Sequence, residues 1–183
     1  MKKTKYEPLK DIVILYAEDD TDISKQTKII LEDYVKEVVL AKDGKEALKI
    51  LQSRDNIDVL ITDILMPNMD GITLLSELRD IRKSLKSKII VTAYTETNYL
   101  IESIKLKVDG YVVKPVIISD LLDTILHSLV SYLQKEEITV KNNLIDAISI
   151  FVGGKKIEII NYIFQKADKD NIFHGAYEEI MAS

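Results

Sequence analysis

Five short runs of apolar residues most narrowly limit how this 183-residue chain can fold. They occupy 12–17, 38–40, 59–62, 89–93 and 111–113 and are rich in valine and isoleucine. Runs that are apolar throughout, without alternation, suit strands buried on both faces, as in a parallel sheet. The segments between them repeat apolar residues at helical spacing. Segment 23–34 carries Ile23, Thr27, Ile30, Leu31 and Tyr34 on one face, and 44–51 carries Ala47, Leu48 and Leu51. Segment 72–81 carries Leu74, Leu75, Leu78 and Ile81; 97–106 carries Leu100, Ile101 and Ile104; 119–133 carries Leu122, Ile125, Leu126, Leu129 and Leu133. This alternation predicts an α/β fold of (βα)5 type, doubly wound around a five-stranded parallel sheet by right-handed crossovers. A composition of 46% apolar and 30% charged residues is ordinary for a globular domain, and a net charge of −5 gives no polybasic signature.

In such a sheet, ligands bind beyond the carboxyl ends of the strands. That rule gathers residues far apart in sequence. Glu18, Asp19 and Asp20 follow the first run, Asp63 the third, Thr92 stands near the end of the fourth, and Lys114 follows the fifth. A carboxylate at the mouth of a buried strand is costly to desolvate unless something there uses it. Asp63 can accept a phosphoryl group as an acyl phosphate. The transition state spreads negative charge over the transferring oxygens, so cations carry most of the stabilisation. Asp19 and Asp63 are candidate ligands for a hard divalent ion, Mg2+ or Mn2+, with Glu18 acting through a bound water and the Leu65 backbone carbonyl adding an oxygen. Without a cation, carboxylates 4 Å apart repel by roughly 4 kcal/mol at an effective dielectric near 20. Lys114 is the candidate partner of Asp63, and its bond to Pro115 is a candidate for the cis form. Thr92 offers a hydroxyl to the phosphoryl group. Tyr111, opening the fifth run, can fill the volume that Thr92 vacates, which makes Thr92 and Tyr111 a candidate two-state switch.

Together these motifs resemble the receiver domain of two-component response regulators. The resemblance covers residues 12 to 133. It rests on Glu18-Asp19-Asp20, on Asp63 with Met66-Pro67 and Asp70-Gly71, on Val91-Thr92-Ala93, and on Gly110-Tyr111-Val112-Val113-Lys114-Pro115. It implies a flavodoxin-like receiver over 11–134 and a cytoplasmic phosphorelay protein. A sensor histidine kinase would phosphorylate Asp63 with Mg2+ present. The protein would then be a switch that catalyses only its own phosphorylation and dephosphorylation, not an enzyme acting on other substrates. The face made by the fourth helix, fifth strand and fifth helix would shift, and is a candidate homodimer surface. Leu65 and Tyr94, two residues past Asp63 and Thr92, occupy positions that tune dephosphorylation in the family. Both are bulky, which predicts a slow-decaying phosphate. Val116 stands where the family often has phenylalanine.

Several other chemistries fit poorly. An aspartate-nucleophile phosphatase of the haloacid dehalogenase type needs an acid two residues after the nucleophile, and Leu65 stands there; it remains a remote alternative. Asp20-Thr21-Asp22 and Asp168-Lys169-Asp170 lack the sixth-position glycine of a calcium loop. No phosphate-binding glycine motif for a nucleotide cofactor is present. The chain has no cysteine, and its two histidines, His127 and His174, read as surface or boundary residues. No apolar run approaches membrane-spanning length. Residues 1–10 read as a solvated lead-in. Residues 135–183 read as a small, mostly helical extension, with Asn142-Asn143 as a break and Gly153-Gly154 as a turn. This tail faintly resembles the opening of a winged-helix output domain. That leaves three readings: a fragment of a DNA-binding regulator, a dimerising or docking extension, or a lid packed on the receiver, with DNA as a partner only if a longer output domain exists.

Overall fold

The computed structural model describes residues 5–78, 85–93 and 97–151. Five strands form one parallel sheet in the order β2-β1-β3-β4-β5. They are β1 (Val13–Ala17), β2 (Glu37–Ala41), β3 (Val59–Thr62), β4 (Ser87–Thr92) and β5 (Gly110–Val113). The helices are α1 (Thr21–Leu31), α2 (Gly44–Ser53), α3 (Gly71–Glu77), α4 (Thr97–Lys105) and α5 (Ile118–Phe151). The doubly wound fold expected from the alternation of runs is therefore the one present.

The strands bury both faces, and their side chains split by parity. Ile14 and Tyr16 of β1, Val59 and Ile61 of β3, and Ile89 and Val91 of β4 join Leu31 of α1 and Leu121, Leu122, Ile125 and Leu129 of α5. Val13, Leu15 and Ala17, Leu60 and Ile90 join Ala47 and Leu51 of α2 and Leu74 and Leu75 of α3. Each fully buried Leu or Ile contributes about 1.5–3 kcal/mol, so the two layers fix which helix covers which face. Aspartates start three of the helices. Asp20 accepts from the Asp22 and Ile23 N–H groups, Asp43 from Glu46, and Asp70 from Thr73, occupying amides that a helix start leaves open.

Several local expectations are corrected. The first ten residues are not merely a solvated lead-in: Glu7–Leu9 form a short 3-10 helix, Leu9 is fully buried, and Tyr6 packs edge-on against Tyr34. The buried stripe of α1 is Ser24, Thr27 and Leu31, whereas Ile23 and Ile30 lie to one side of it and stay exposed. On α4, Tyr99, Ser103 and the following Leu106 turn inward while Ile101 and Ile104 are exposed. Ser103 is tolerated there because its hydroxyl donates to the Tyr99 carbonyl at 2.7 Å. Asn142-Asn143 does not break α5. Each Asn costs a helix at most about 0.7 kcal/mol relative to Ala, and no Gly or Pro occurs between Ile118 and Gly153. The chain divides into two units after Tyr132, and the described part of the second is helix from Leu133 to Phe151. Ile81, Tyr94 and the expected elements beyond residue 151 lie outside the described residues.

Candidate functional site

Strand register builds the site. Ala17 pairs with Thr62 across β1 and β3, and the next step of the ladder sets Glu18 beside Asp63, whose N–H donates to the Ala17 carbonyl. On the far side, Thr92 pairs with Val113, and the Lys114 N–H donates to the Thr92 carbonyl. The carboxyl ends of β1, β3, β4 and β5 thus meet along one edge of the sheet.

Lys114 ties the acids together. Its Nζ lies 2.5 Å from Asp63 Oδ2, 2.9 Å from Glu18 Oε1 and 2.7 Å from Glu18 Oε2. Glu18 is 2% exposed and Asp63 7%, so both carboxylates depend on such partners. Burial alone would lower the Lys114 pKa, but the hydrogen bonds and charges of Asp63 and Glu18 outweigh it and raise the value. Asp63 Oδ1 accepts from the Ile64 N–H. Asp19 is exposed, yet one ligand oxygen from each of Glu18, Asp19 and Asp63 fits within 4.8 Å of the others. Three acids around so small a volume form a cluster able to hold a metal ion, with oxygen donors suited to a hard cation. The Lys114–Pro115 bond is cis. Thr92 is fully buried at the end of β4. Tyr111 is half-buried on β5; burial, then the nearby Asp63 charge, raises its pKa. Leu65 lies in the loop after Asp63 with its side chain 39% exposed. Asp20 stands apart as the cap of α1. Tyr94 lies outside the described residues.

Other residues of this region escaped the sequence reading. Tyr16 is buried, and its hydroxyl donates to Glu18 Oε2 at 2.9 Å; burial and then the Glu18 charge push its pKa far up. The available signal was strand periodicity, since residues two apart share a face. In the sequence, Gly71 stands out only as part of the Asp70-Gly71 motif. A Cβ there would lie 2.0 Å from the Asp63 carbonyl oxygen, which also accepts from Thr62 Oγ1 at 2.9 Å. The loop that follows Asp63 is held from α2: Asp43 Oδ2 accepts from Asn68 Nδ2 at 2.8 Å, and the Gly44 N–H donates to the Met69 carbonyl at 3.0 Å. Asn68 itself takes φ 63°, in the left-handed region that Asn tolerates. Only the capping part of the Asp43 role was readable, from an acid directly before a helical pattern.

Residues 14–126 match the response regulator receiver domain family. The chain belongs to that family. Among curated relatives, the response regulator ArlR of Staphylococcus saprophyticus is 28% identical over 148 residues, 80% of this chain and 66% of ArlR. The probable transcriptional regulator ycf27 of Porphyridium aerugineum is 30% identical over 80% of this chain and 58% of its own length. The receiver chain thus spans less than two thirds of these relatives. Among solved structures, a CheY-like response regulator receiver domain protein from Methanospirillum hungatei superposes with a TM-score of 0.64 at 32% identity, covering 68% of this chain and 98% of that one. A LuxR-family DNA-binding response regulator from Staphylococcus aureus superposes with a TM-score of 0.60 at 28% identity, covering 64% and 98%. Among the described residues of this receiver chain, no helix is long and apolar enough to cross a membrane.

Proposed function

We propose that this receiver is cytoplasmic, that Asp63 is its phosphoryl acceptor and that a sensor histidine kinase is the donor. The observation that carries this reading is Lys114, whose ammonium group bridges Asp63 and Glu18 at the ends of separate strands. An Asp63 carboxylate oxygen attacks the phosphorus of a phosphohistidine. The O–P bond forms, the N–P bond breaks, and the imidazole leaves. Lys114 neutralises charge that moves from the Asp63 oxygen to the phosphoryl oxygens. Asp19 and Asp63, the Leu65 carbonyl, and Glu18 through a water would hold Mg2+ or Mn2+, which supplies further charge neutralisation when bound. The Thr92 hydroxyl donates to a phosphoryl oxygen, and Tyr111 moves into the space behind it. The protein acts on no other substrate. The side chain of Leu65 shields the acyl phosphate from water, so the phosphorylated state decays slowly.

The kinase reaches Asp63 past a groove of about 280 Å³ that Lys114 lines together with Ile23 and Ile30 of α1 and with Pro115, Val116 and Ile118. The readout face joins α4, β5 and α5. Ile101, Ile104 and Val113 are exposed on it, which favours self-association in the phosphorylated state. A second reading has specific support: the ArlR match runs over 148 residues, more than the receiver segment 14–126 holds. On that reading the tail opens a DNA-binding output domain.

Incubation with acetyl phosphate and Mg2+ tests the acceptor. Wild-type protein should gain one phosphoryl mass, and Asp63→Asn should gain none. An Asp63→Asn protein labelled as well as wild type would remove Asp63 from this role.

A further inference from the structure

Tyr16 is 1% exposed, and its ring packs in the layer between the sheet, α1 and α5. A phenol oxygen so deep requires partners. It donates to Glu18 Oε2 at 2.9 Å. Glu18 in turn holds the Lys114 ammonium with both carboxylate oxygens, at 2.9 and 2.7 Å, and Lys114 reaches Asp63. A line of polar contacts therefore runs from Tyr16 through Glu18 and Lys114 to Asp63. The contrast with Asp19 is informative: Asp19 is exposed and free to adapt to an ion, whereas Glu18 is buried at 2% and clasped on both oxygens.

We infer that Tyr16 is a positioning residue of the phosphoryl site, whose hydroxyl fixes Glu18 in place and so sets how tightly Glu18, Asp19 and Asp63 take a divalent cation. This rests on the reading of that cluster as the cation site. Without the hydroxyl, Glu18 Oε2 keeps only Lys114 as a partner, and the carboxylate is free to turn about that single contact. The ordering of Glu18 must then accompany cation binding instead of preceding it. Partners that orient ligating groups typically change metal affinity by about 10- to 100-fold.

The test is Mn2+ titration, followed by the electron paramagnetic resonance of the free ion, on wild type, Tyr16→Phe, Glu18→Gln and the double variant. Phenylalanine keeps the ring in the core, and circular dichroism with thermal unfolding checks the fold. Tyr16→Phe should weaken Mn2+ binding about tenfold and add nothing further in the Glu18→Gln background, because the hydroxyl acts only through Glu18. Unchanged affinity in Tyr16→Phe, or an equal loss in both backgrounds, would overturn the inference. Wild-type protein that binds no Mn2+ would sink the cation reading itself, and this inference with it. Wild-type binding with no Tyr16 effect would sink this inference alone.

Discussion

At the scale of single residues, Asp43 does two jobs with one carboxylate. Oδ1 accepts from the Glu46 N–H and caps α2, and Oδ2 holds Asn68 in the loop behind Asp63. The Glu46 N–H lowers its pKa most; burial opposes this, and Asn68 adds to the lowering. A depressed folded-state pKa means the stabilisation is complete above the unfolded value of about 3.9, and is lost as pH falls through the folded value. Asp43→Ala should therefore lower stability at pH 7 by about 1 kcal/mol, and the gap to wild type should close as pH falls below about 4. Urea unfolding at several pH values measures this, and a gap constant down to pH 2 would contradict it. Asp63, Thr92, Lys114, Glu18 and Asp19 were legible because each is a chemically loaded residue following or ending an apolar run. Tyr16, Gly71 and Asn68 were not. What they do depends on one hydroxyl direction, one missing Cβ and one backbone torsion, and none of these has a signature in hydropathy.

At the scale of elements, α1 and the segment after β5 line one groove beside Lys114, where the proposed kinase docking is tested. The sequence spacing placed Ile23 and Ile30 on the inner face of α1 because the apolar residues define an arc that is broader than the contact. The true contact uses Ser24 and Thr27, small or β-branched residues that hydropathy alone underrates. Ile23 and Ile30 are left beside Pro115 and Val116 as an apolar wall near Lys114. Val116, standing in place of a larger residue, still packs on the core, and α5 seats Leu121, Leu122, Ile125 and Leu129 there. Ile23→Lys with Ile30→Lys should slow phosphoryl transfer from the partner kinase at least about tenfold, the loss of roughly 1.4 kcal/mol of transition-state binding. Labelling by acetyl phosphate should be unchanged. Equal slowing with both donors would place the two isoleucines in the chemistry or the fold, not in docking.

At the scale of the whole molecule, the fold class was legible because five strands buried on both faces leave an unambiguous trace. The tail was not, because its apolar residues fit a continuing helix and a new domain equally well. The α5 helix does continue through Asn142-Asn143. The exposed isoleucines of α4 are where the proposed self-association is tested. With acetyl phosphate and Mg2+, sedimentation velocity should show the wild-type chain shifting toward dimer, and Ile104→Glu should hold it as monomer. A dimer unaffected by Ile104→Glu would move the contact to another face. One further consequence follows from Lys114, which meets Asp63 across 51 positions of sequence and Glu18 across 96. Since domains generally fold as units during synthesis, a chain still emerging from the ribosome cannot complete this constellation until its fifth strand is out. On the proposed reading of Asp63, nascent or half-unfolded copies are deaf to the signal, and every copy that answers has already passed an inspection of its own sheet.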